Sequence, residues 1–228
     1  MLISEIFDSI DGEGVRAGEL CTFIRVVGCN LRCSYCDSMY AVEPQRYSDI
    51  NPREMRISDI LASVNSNYRR VTLTGGEPLL LPESIQLVNR LCDAGYEVNI
   101  ETNGSCDIVA FRDFIREKQN LFFTIDFKLP SSGEMYKMLL SNFDNLERRD
   151  VLKFVIGTDE DAELAASFAH DLTEKYGMDA PYIYCGTVFD KYPLSRVIEL
   201  FMKDPVLADV KFQLQMHKYI WDPNARGV

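Results

Sequence analysis

The residues best suited to chemistry are three cysteines on one short segment. Cys29, Cys33 and Cys36 follow the spacing C-x3-C-x2-C, which can bring three thiolates to one metal centre. Structural zinc sites are normally held by four protein ligands, and no second Cys/His pair follows at ligand spacing, since the only histidines are His170 and His217. A 4Fe–4S cluster held by three thiolates keeps one iron open for a cofactor or substrate. The missing fourth ligand therefore favours such a cluster.

Four further cysteines are scattered along the chain and form no ligand pattern of their own. They are Cys21, Cys92, Cys106 and Cys185. Residues 1–10 carry acidic residues and no basic cluster, so they do not resemble a secretory signal. We therefore expect a cytoplasmic protein in which a metal or redox site is favoured over a disulfide framework. A zinc site completed by a distant Cys or His is the alternative for the clustered thiols.

Charge and composition narrow the class of ligand. The chain has 228 residues, 46% of them hydrophobic, and a net charge of −11. No run of eighteen apolar residues appears, which disfavours a membrane span. No group of Lys and Arg is dense enough to follow a phosphate backbone, so nucleic acid is disfavoured as well. These properties favour a single domain over residues 1–228 that acts on a small molecule.

Short apolar runs alternate with helical patterns along the chain. Most of the runs are rich in Val, Ile, Phe and Leu, as expected for parallel strands buried on both faces. Helical patterns begin near residues 57, 82, 108, 158 and 193, with Ser58 a candidate N-cap of the first and Thr158 of the fourth. This alternation predicts a parallel α/β sheet, either an open barrel or a doubly wound sheet. The predicted strands are residues 22–26, 71–74, 98–101, 121–126, 151–156, 182–185 and 210–216.

Polar motifs follow three of these strands where each is expected to end. Residues 75–78 read Gly-Gly-Glu-Pro, Glu101 and Asn103 close the next strand, and residues 126–128 close the one after it. Each motif also has a plain explanation, since Gly-Gly and Asn-Gly mark turns and Lys128 suits a solvated strand end. Because the carboxyl ends of parallel strands meet at one edge, we expect these motifs to surround a ligand. The paired glycines would let the backbone approach that ligand closely.

The cysteine segment, taken with these motifs, resembles the cluster loop of radical S-adenosylmethionine (SAM) enzymes. In that family SAM chelates the open iron, and an electron from the cluster cleaves it to methionine and a 5′-deoxyadenosyl radical. The resemblance implies an α/β fold, an open partial parallel β/α barrel of the radical SAM type, with the 4Fe–4S cluster on Cys29, Cys33 and Cys36. The SAM contacts it implies are Tyr35, Cys36, Asp37, Gly76, Glu77, Glu101, Asn103, Asp126, Phe127 and Lys128.

Flanking segments sharpen the resemblance to the 7-carboxy-7-deazaguanine synthase family. They are residues 5–7, 11–14, 23–25, 36–38 and 213–219, so the likeness spans nearly the whole chain. It implies a lyase that rearranges 6-carboxy-5,6,7,8-tetrahydropterin into 7-carboxy-7-deazaguanine and ammonia, on the route to queuosine and related 7-deazapurines. The radical would remove hydrogen from C6 of the pterin, the ring would contract, and SAM would be regenerated.

The same resemblance implies Mg²⁺, substrate contacts and partners. Mg²⁺ is expected beside the substrate carboxylate on the hydroxyl of Ser38, where Thr is common in the family. Arg25 is expected to take that carboxylate, with a structural ion pair as the plain explanation for it. The likeness further implies an electron donor such as flavodoxin or ferredoxin and a homodimer, and His217 receives no role. The remaining expected substrate contacts are Ile10, Asp11, Gly12, Glu13 and Thr74.

Two other functions use the same cysteine segment. An activating enzyme that abstracts hydrogen from a glycine of a partner protein shares the three cysteines and a similar size. It does not need the Asp-Gly-Glu-Gly segment at residues 11–14 or the C-terminal segment 213–219. A non-enzymatic metal or electron-transfer module would hold a cluster or zinc without binding SAM. Dependence on a protein partner and a spectral response to SAM separate these functions from the first.

Overall fold

Seven apolar runs form parallel strands of one sheet in the computed structural model, which describes residues 1–228. The strand order is β3-β1-β2-β4-β5-β6-β7-β8-β9, with antiparallel pairing only between β1 and its neighbours β2 and β3. The two ends of the sheet do not pair, which confirms the open barrel. The strands are β1 (Leu2–Ile10), β2 (Leu20–Val26), β3 (Arg53–Glu54), β4 (Arg70–Gly75), β5 (Glu97–Thr102), β6 (Leu121–Phe127), β7 (Val151–Ile156), β8 (Tyr182–Thr187) and β9 (Lys211–Phe212).

The helices follow the predicted apolar patterns, and their starts depend on local capping. The hydroxyl of Thr158 accepts a hydrogen bond from Asp161 N at 3.1 Å, as predicted. The predicted Ser58 cap is wrong, because the helix already begins at Ile57 and Arg56 occupies the cap position. The helices are α1 (Met39–Val42), α2 (Ile57–Ser63), α3 (Glu83–Asp93), α4 (Ile108–Asp113), α5 (Asp159–Tyr176), α6 (Leu194–Phe201) and α7 (His217–Ile220). None of them is long and apolar enough to cross a membrane.

The edges of the sheet differ from the sequence prediction. Strand β1 was not predicted, because its partly exposed residues lack a continuous apolar run, and it is fixed by pairing with β2. Strand β9 is shorter than the predicted residues 210–216. Its last hydrogen bond with β8 is the one that Gln213 N donates to Cys185 O at 3.0 Å. Beyond this bond the chain leaves the sheet and enters α7. Both edges therefore depend on long-range pairing.

The core fixes the strands from both faces, so their carboxyl ends keep a defined register. Ile24, Leu73 and Ile100 on three neighbouring strands are fully buried. The register places Arg25 of β2 beside Thr74 of β4. Two strands further along, it places Asp126 of β6 beside Lys153 of β7. Polar side chains from distant parts of the chain are thus brought to one end of the sheet.

Candidate functional site

A cavity of about 940 Å³ lies at the carboxyl ends of the parallel strands. It is the place where parallel α/β sheets bind ligands. The structure brings together all but three of the residues that the sequence singled out, and the exceptions are Asp11, Glu77 and Phe127. The predicted residues that line the cavity are Ile10, Gly12, Glu13, Arg25, Cys29, Cys33, Tyr35, Cys36, Asp37, Ser38, Thr74, Gly76, Glu101, Asn103, Asp126 and Lys128.

The cysteine segment between β2 and α1 is held by the turns that follow β6. Arg32 N donates to Glu134 Oε1 at 2.6 Å, and Ser34 N donates to Ser132 O at 3.0 Å. The hydroxyl of Ser34 also donates to Ser131 O at 2.7 Å. A loop tied at several points keeps its ligands in place before a metal centre arrives.

The three thiols face the cavity and are half-exposed and unpaired. Burial raises the pKa of Cys33 to about 11, an effect that Lys128 opposes and the neighbouring Cys36 and Cys29 reinforce. No three His, Cys, Asp or Glu side chains of the chain converge closely enough to hold a single metal ion. A cubane is held by three thiolates on three separate irons and needs no fourth protein ligand. The donor set therefore fits a 4Fe–4S cluster.

Asn103 lies behind the cysteine segment and touches it directly. Its side-chain nitrogen lies 3.4 Å from Cys29 Sγ and 3.0 Å from Asn30 Oδ1. Its side-chain oxygen accepts hydrogen bonds from Ser105 N at 2.9 Å and Ser105 Oγ at 2.6 Å. The side chain is thus fully hydrogen-bonded to the protein, and its nearest reactive neighbour is a cysteine sulfur.

Glu77 corrects a sequence expectation, because its carboxylate does not line the cavity. The residue is fully buried and accepts hydrogen bonds from Leu79 N at 3.0 Å, Thr102 Oγ1 at 2.8 Å and Asn103 N at 2.7 Å. Burial raises the pKa of this carboxyl to about 7, and the hydrogen bonds oppose the shift. The carboxylate joins the ends of β4 and β5 and so positions Asn103.

The paired glycines after β4 serve a close backbone contact that the sequence did not reveal. A Cβ on Gly75 would lie 2.3 Å from Val26 O, and one on Gly76 would lie 1.8 Å from Gly28 O. Gly76 N donates to Val26 O at 3.1 Å. The glycines therefore bring β4 against the start of the cysteine segment, while Gly76 still lines the cavity.

The end of β6 presents alternate residues to the cavity. Lys128 Nζ lies 2.8 Å from Asp126 Oδ2. Phe127 between them is 3% exposed and packs against Phe143 and Phe168 in the core. Its side chain is therefore a core residue, which corrects the expectation that it meets SAM. The reason is the two-residue repeat of a strand, which sends neighbouring side chains to opposite faces.

Arg25 lies at the opposite wall of the cavity in a polar cluster. Its Nε donates to Glu5 Oε1 at 2.7 Å, and the hydroxyl of Tyr40 donates to the same oxygen at 2.7 Å. Burial opposes the charge of Arg25, but Tyr40 and Glu5 outweigh it and raise the pKa of the guanidinium. The ion pair that was the plain explanation is present. It uses Nε and leaves the terminal nitrogens for a ligand.

The carboxylates next to Arg25 differ in their access to the cavity. Thr74 Oγ1 donates to Glu101 Oε2 at 2.6 Å, and both residues line the wall. Asp11 is 2% exposed and accepts a hydrogen bond from Thr72 Oγ1 at 3.2 Å, beneath the wall. Its side chain is thus removed from the cavity, so a substrate contact by Asp11 would have to come from its backbone. Burial raises the pKa of Asp11 to about 6.

The short segment after the last cysteine forms a third polar wall. Ser38 Oγ donates to Asp37 Oδ1 at 3.0 Å. Lys218 Nζ of α7 lies 3.4 Å from Asp37 Oδ2. The C-terminal part of the chain therefore contributes to the cavity wall beside the cysteine segment.

Several site residues were missed by sequence reasoning. Lys153 lines the cavity from β7, and it is the one charged residue within an otherwise apolar strand. That isolation was the signal that could have identified it. Glu5 and Tyr40 were missed because β1 was not predicted and α1 has only four residues.

The chain is similar to known proteins along nearly its whole length. The family model described as the radical SAM superfamily matches residues 23–151. A 7-carboxy-7-deazaguanine synthase of Clostridium acetobutylicum is 41% identical over 99% of this chain and 98% of its own length. A second, from Chlorobaculum tepidum, is 37% identical over 99% of this chain and 96% of its own length.

Solved structures show the same fold. QueE from Escherichia coli superposes with a TM-score of 0.68 at 22% identity, covering 92% of each chain. Streptococcus suis SuiB bound to its precursor peptide SuiA has a TM-score of 0.59 at 13% identity and covers 87% of this chain and 50% of SuiB. At these identities the likeness concerns the fold alone.

Proposed function

Because this chain belongs to the radical SAM superfamily and, within it, to the 7-carboxy-7-deazaguanine synthases, we propose that it converts 6-carboxy-5,6,7,8-tetrahydropterin to 7-carboxy-7-deazaguanine and ammonia. It would thus be a carbon–nitrogen lyase of 7-deazapurine biosynthesis. The observation that carries the proposal is the identity of 41% along the whole chain to a protein of that name. The full length of the chain, residues 1–228, acts as one domain in this proposal.

The cofactor side of the cavity is formed by the cysteine segment and the ends of β4 to β6. Membership of the superfamily implies a 4Fe–4S cluster and SAM, and the three half-exposed thiols fit the cluster. When bound, the reduced cluster and SAM together supply hydrogen-atom abstraction from the substrate. The residues proposed to contact SAM from the cavity wall are Tyr35, Cys36, Asp37, Gly76, Glu101, Asn103, Asp126 and Lys128. Glu77 and Phe127 support that wall from behind.

The substrate side holds Arg25 and a group of hydrogen-bond acceptors. Arg25 would bind the substrate carboxylate through its free terminal nitrogens. Ile10, Gly12 and Glu13 would accept hydrogen bonds from the N–H edge of the pterin, because backbone carbonyls and a carboxylate offer acceptors there. Thr74 is oriented by Glu101 and completes this wall.

Mg²⁺ would bind between these two sides. Ser38 faces the cavity beside Asp37, and oxygen atoms are the ligands that Mg²⁺ prefers. The ion would then draw its remaining ligands from the substrate carboxylate and water. A hydroxyl at residue 38 is the feature on which this assignment depends.

The reaction needs partners beyond the small-molecule substrate. A one-electron donor such as flavodoxin or ferredoxin would reduce the cluster, and the half-exposed cysteines support access from outside. A homodimer is supported by the exposed apolar residues Leu214, Tyr219 and Ile220 near the C-terminus. We place the enzyme in the cytoplasm, where a reducing environment preserves the thiols.

The test is an anaerobic assay of the reconstituted protein with SAM, Mg²⁺, a reductant and 6-carboxytetrahydropterin, followed by mass spectrometry. Formation of 7-carboxy-7-deazaguanine is expected. A Cys33→Ala variant serves as the matched control and should form no product, because it lacks a cluster ligand. If wild-type protein cleaves SAM to 5′-deoxyadenosine without forming deazaguanine, the substrate assignment is wrong and the superfamily assignment stands.

A further inference from the structure

Lys153 is a charged residue in a strand where every neighbour is apolar. Strand β7 reads Val-Leu-Lys-Phe-Val-Ile, and the Lys153 side chain is only 15% exposed. It faces the cavity together with Val155. Burying an ammonium group is costly unless it is paired, so a lysine at this position indicates a specific partner.

Its partners come from both sides of the cavity. The ammonium group forms an ion pair with Glu13 Oε2 on the substrate side, and it lies 3.9 Å from Asp126 Oδ1 on the cofactor side. The other oxygen of Asp126 is taken by Lys128. Burial opposes the charge of Lys153, but Glu13, Asp126 and Glu101 outweigh it and hold the pKa of the ammonium group above its ordinary range.

The segment that carries Glu13 is fixed by other contacts at its backbone only. Gly14 N donates to Gln213 Oε1 at 2.7 Å. A Cβ on Gly12 would lie 3.2 Å from His217 Nδ1, so the imidazole packs closely on that backbone. Neither contact orients the Glu13 carboxylate, whose one ion-pair partner is Lys153.

The electrostatics around Glu13 make this partner necessary. Glu101 within the wall and Asp11 beneath it are carboxyl groups that a negative charge on Glu13 repels. Without a cation at residue 153, this repulsion would turn the Glu13 side chain away from both carboxyl groups. The hydrogen-bond acceptor for the substrate would then be lost from its place.

We propose that Lys153 is a positioning residue that holds the Glu13 carboxylate oriented for the substrate, and that links it to Asp126 beside the cofactor. This role rests on the proposed function, since Glu13 is placed at the pterin edge there. Lys153 acts through Glu13 and does not itself contact the substrate. The functional consequence is alignment of the substrate with the cofactor across β6 and β7.

The test measures ligand binding without turnover. The dissociation constants of 6-carboxytetrahydropterin and SAM are measured on cluster-loaded protein kept without reductant. The variants are Lys153→Met, Lys153→Arg, Glu13→Gln and the double variant Glu13→Gln/Lys153→Met. We expect Lys153→Met to weaken pterin binding by at least about 10-fold, in the range of a broken buried pair, with SAM affinity within about twofold of wild type. Lys153→Arg should restore most of the loss. The double variant should bind no more weakly than Glu13→Gln alone.

Each other outcome has a defined meaning. Unchanged pterin affinity in Lys153→Met, or losses that add in the double variant, would overturn the positioning role, the latter because Lys153 would then contact the substrate itself. Failure of the wild-type protein to bind the pterin would count against the proposed function instead. Lys175→Met is the matched control, since Lys175 pairs with Asp144 at 2.7 Å on the surface, and it should leave both affinities unchanged. The circular dichroism spectrum of each variant reports whether it has folded.

Discussion

The side-chain amide nitrogen of Asn103 lies 3.4 Å from the sulfur of Cys29 in the cysteine segment. Ser105 donates to the side-chain oxygen of Asn103, and the buried Glu77 accepts a hydrogen bond from the backbone N–H of Asn103. Together these contacts orient the amide. These contacts therefore run from the buried carboxylate of Glu77 to Cys29, a proposed cluster ligand. Two distant motifs of the sequence thus form one structural unit.

This contact predicts an effect on the reduction potential of the cluster. Hydrogen bonds to cluster sulfurs stabilise the more negative, reduced state and raise the potential. Asn103→Leu should therefore shift the potential to a more negative value, measured by an EPR-monitored redox titration without SAM. Asn67→Leu on the surface is the control. An unaltered potential in Asn103→Leu would show that the contact has no electronic influence.

Gly76 predicts a steric requirement for the cysteine segment. A Cβ at this residue would meet Gly28 O at 1.8 Å, so Gly76→Ala must push the start of that segment away. We expect a loss of about 2 kcal/mol or more in the free energy of unfolding, together with a lower iron content after reconstitution. Gly186→Ala is the matched control, because its nearest contact would be an ordinary 3.5 Å. Equal iron content in the two variants would contradict this explanation.

Arg25 predicts that charge alone does not suffice at the substrate wall. A lysine cannot keep the hydrogen bond to Glu5 while presenting two further donors in a plane. Arg25→Lys should raise the KM for the pterin by about 10-fold or more, while the dissociation constant of SAM stays near the wild-type value. Steady-state kinetics and SAM binding test this. A parallel loss of SAM affinity would place Arg25 in the cofactor site.

Ser38 predicts the response to Mg²⁺. Ser38→Thr keeps the hydroxyl and should retain activation by the ion, whereas Ser38→Ala should abolish it. The response is measured by titrating Mg²⁺ into cluster-reconstituted enzyme from which free divalent ions have been removed with EDTA. Activation of Ser38→Ala at wild-type Mg²⁺ concentrations would remove Ser38 from the ion site.

Asp11 predicts a pH dependence of stability. Its pKa of about 6 lies above the ordinary value of 3.8, so between these values the folded state binds more protons than the unfolded state. The contribution of Asp11 to the stability of the folded state is therefore fully present below about pH 4 and is lost as the pH rises through 6. We expect the free energy of unfolding of the cluster-free protein, measured with urea, to fall between pH 5 and pH 7.5. The fall should be about 1 kcal/mol larger in wild type than in Asp11→Asn. Equal losses would mean that Asp11 does not titrate in this range.

The sequence by itself determined the cysteine chemistry and which segments form the parallel strands. The spacing of Cys29, Cys33 and Cys36 is local, so one loop suffices to bring the thiols together. The runs of Val, Ile and Phe fixed seven strands, because buried parallel strands need continuous apolar sequence. The polar residues at their ends followed from the rule that parallel strands share a carboxyl edge.

Tertiary structure alone decided which of those polar residues reach the cavity. Alternation along β6 sends Phe127 into the core, and the fully buried Glu77 became a support for Asn103. The pairing of Lys153 with Glu13 joins residues 140 positions apart, and strand β1 is fixed by its antiparallel pairing with β2 and β3. Such contacts depend on register and on long-range packing, which a local pattern of residues does not encode.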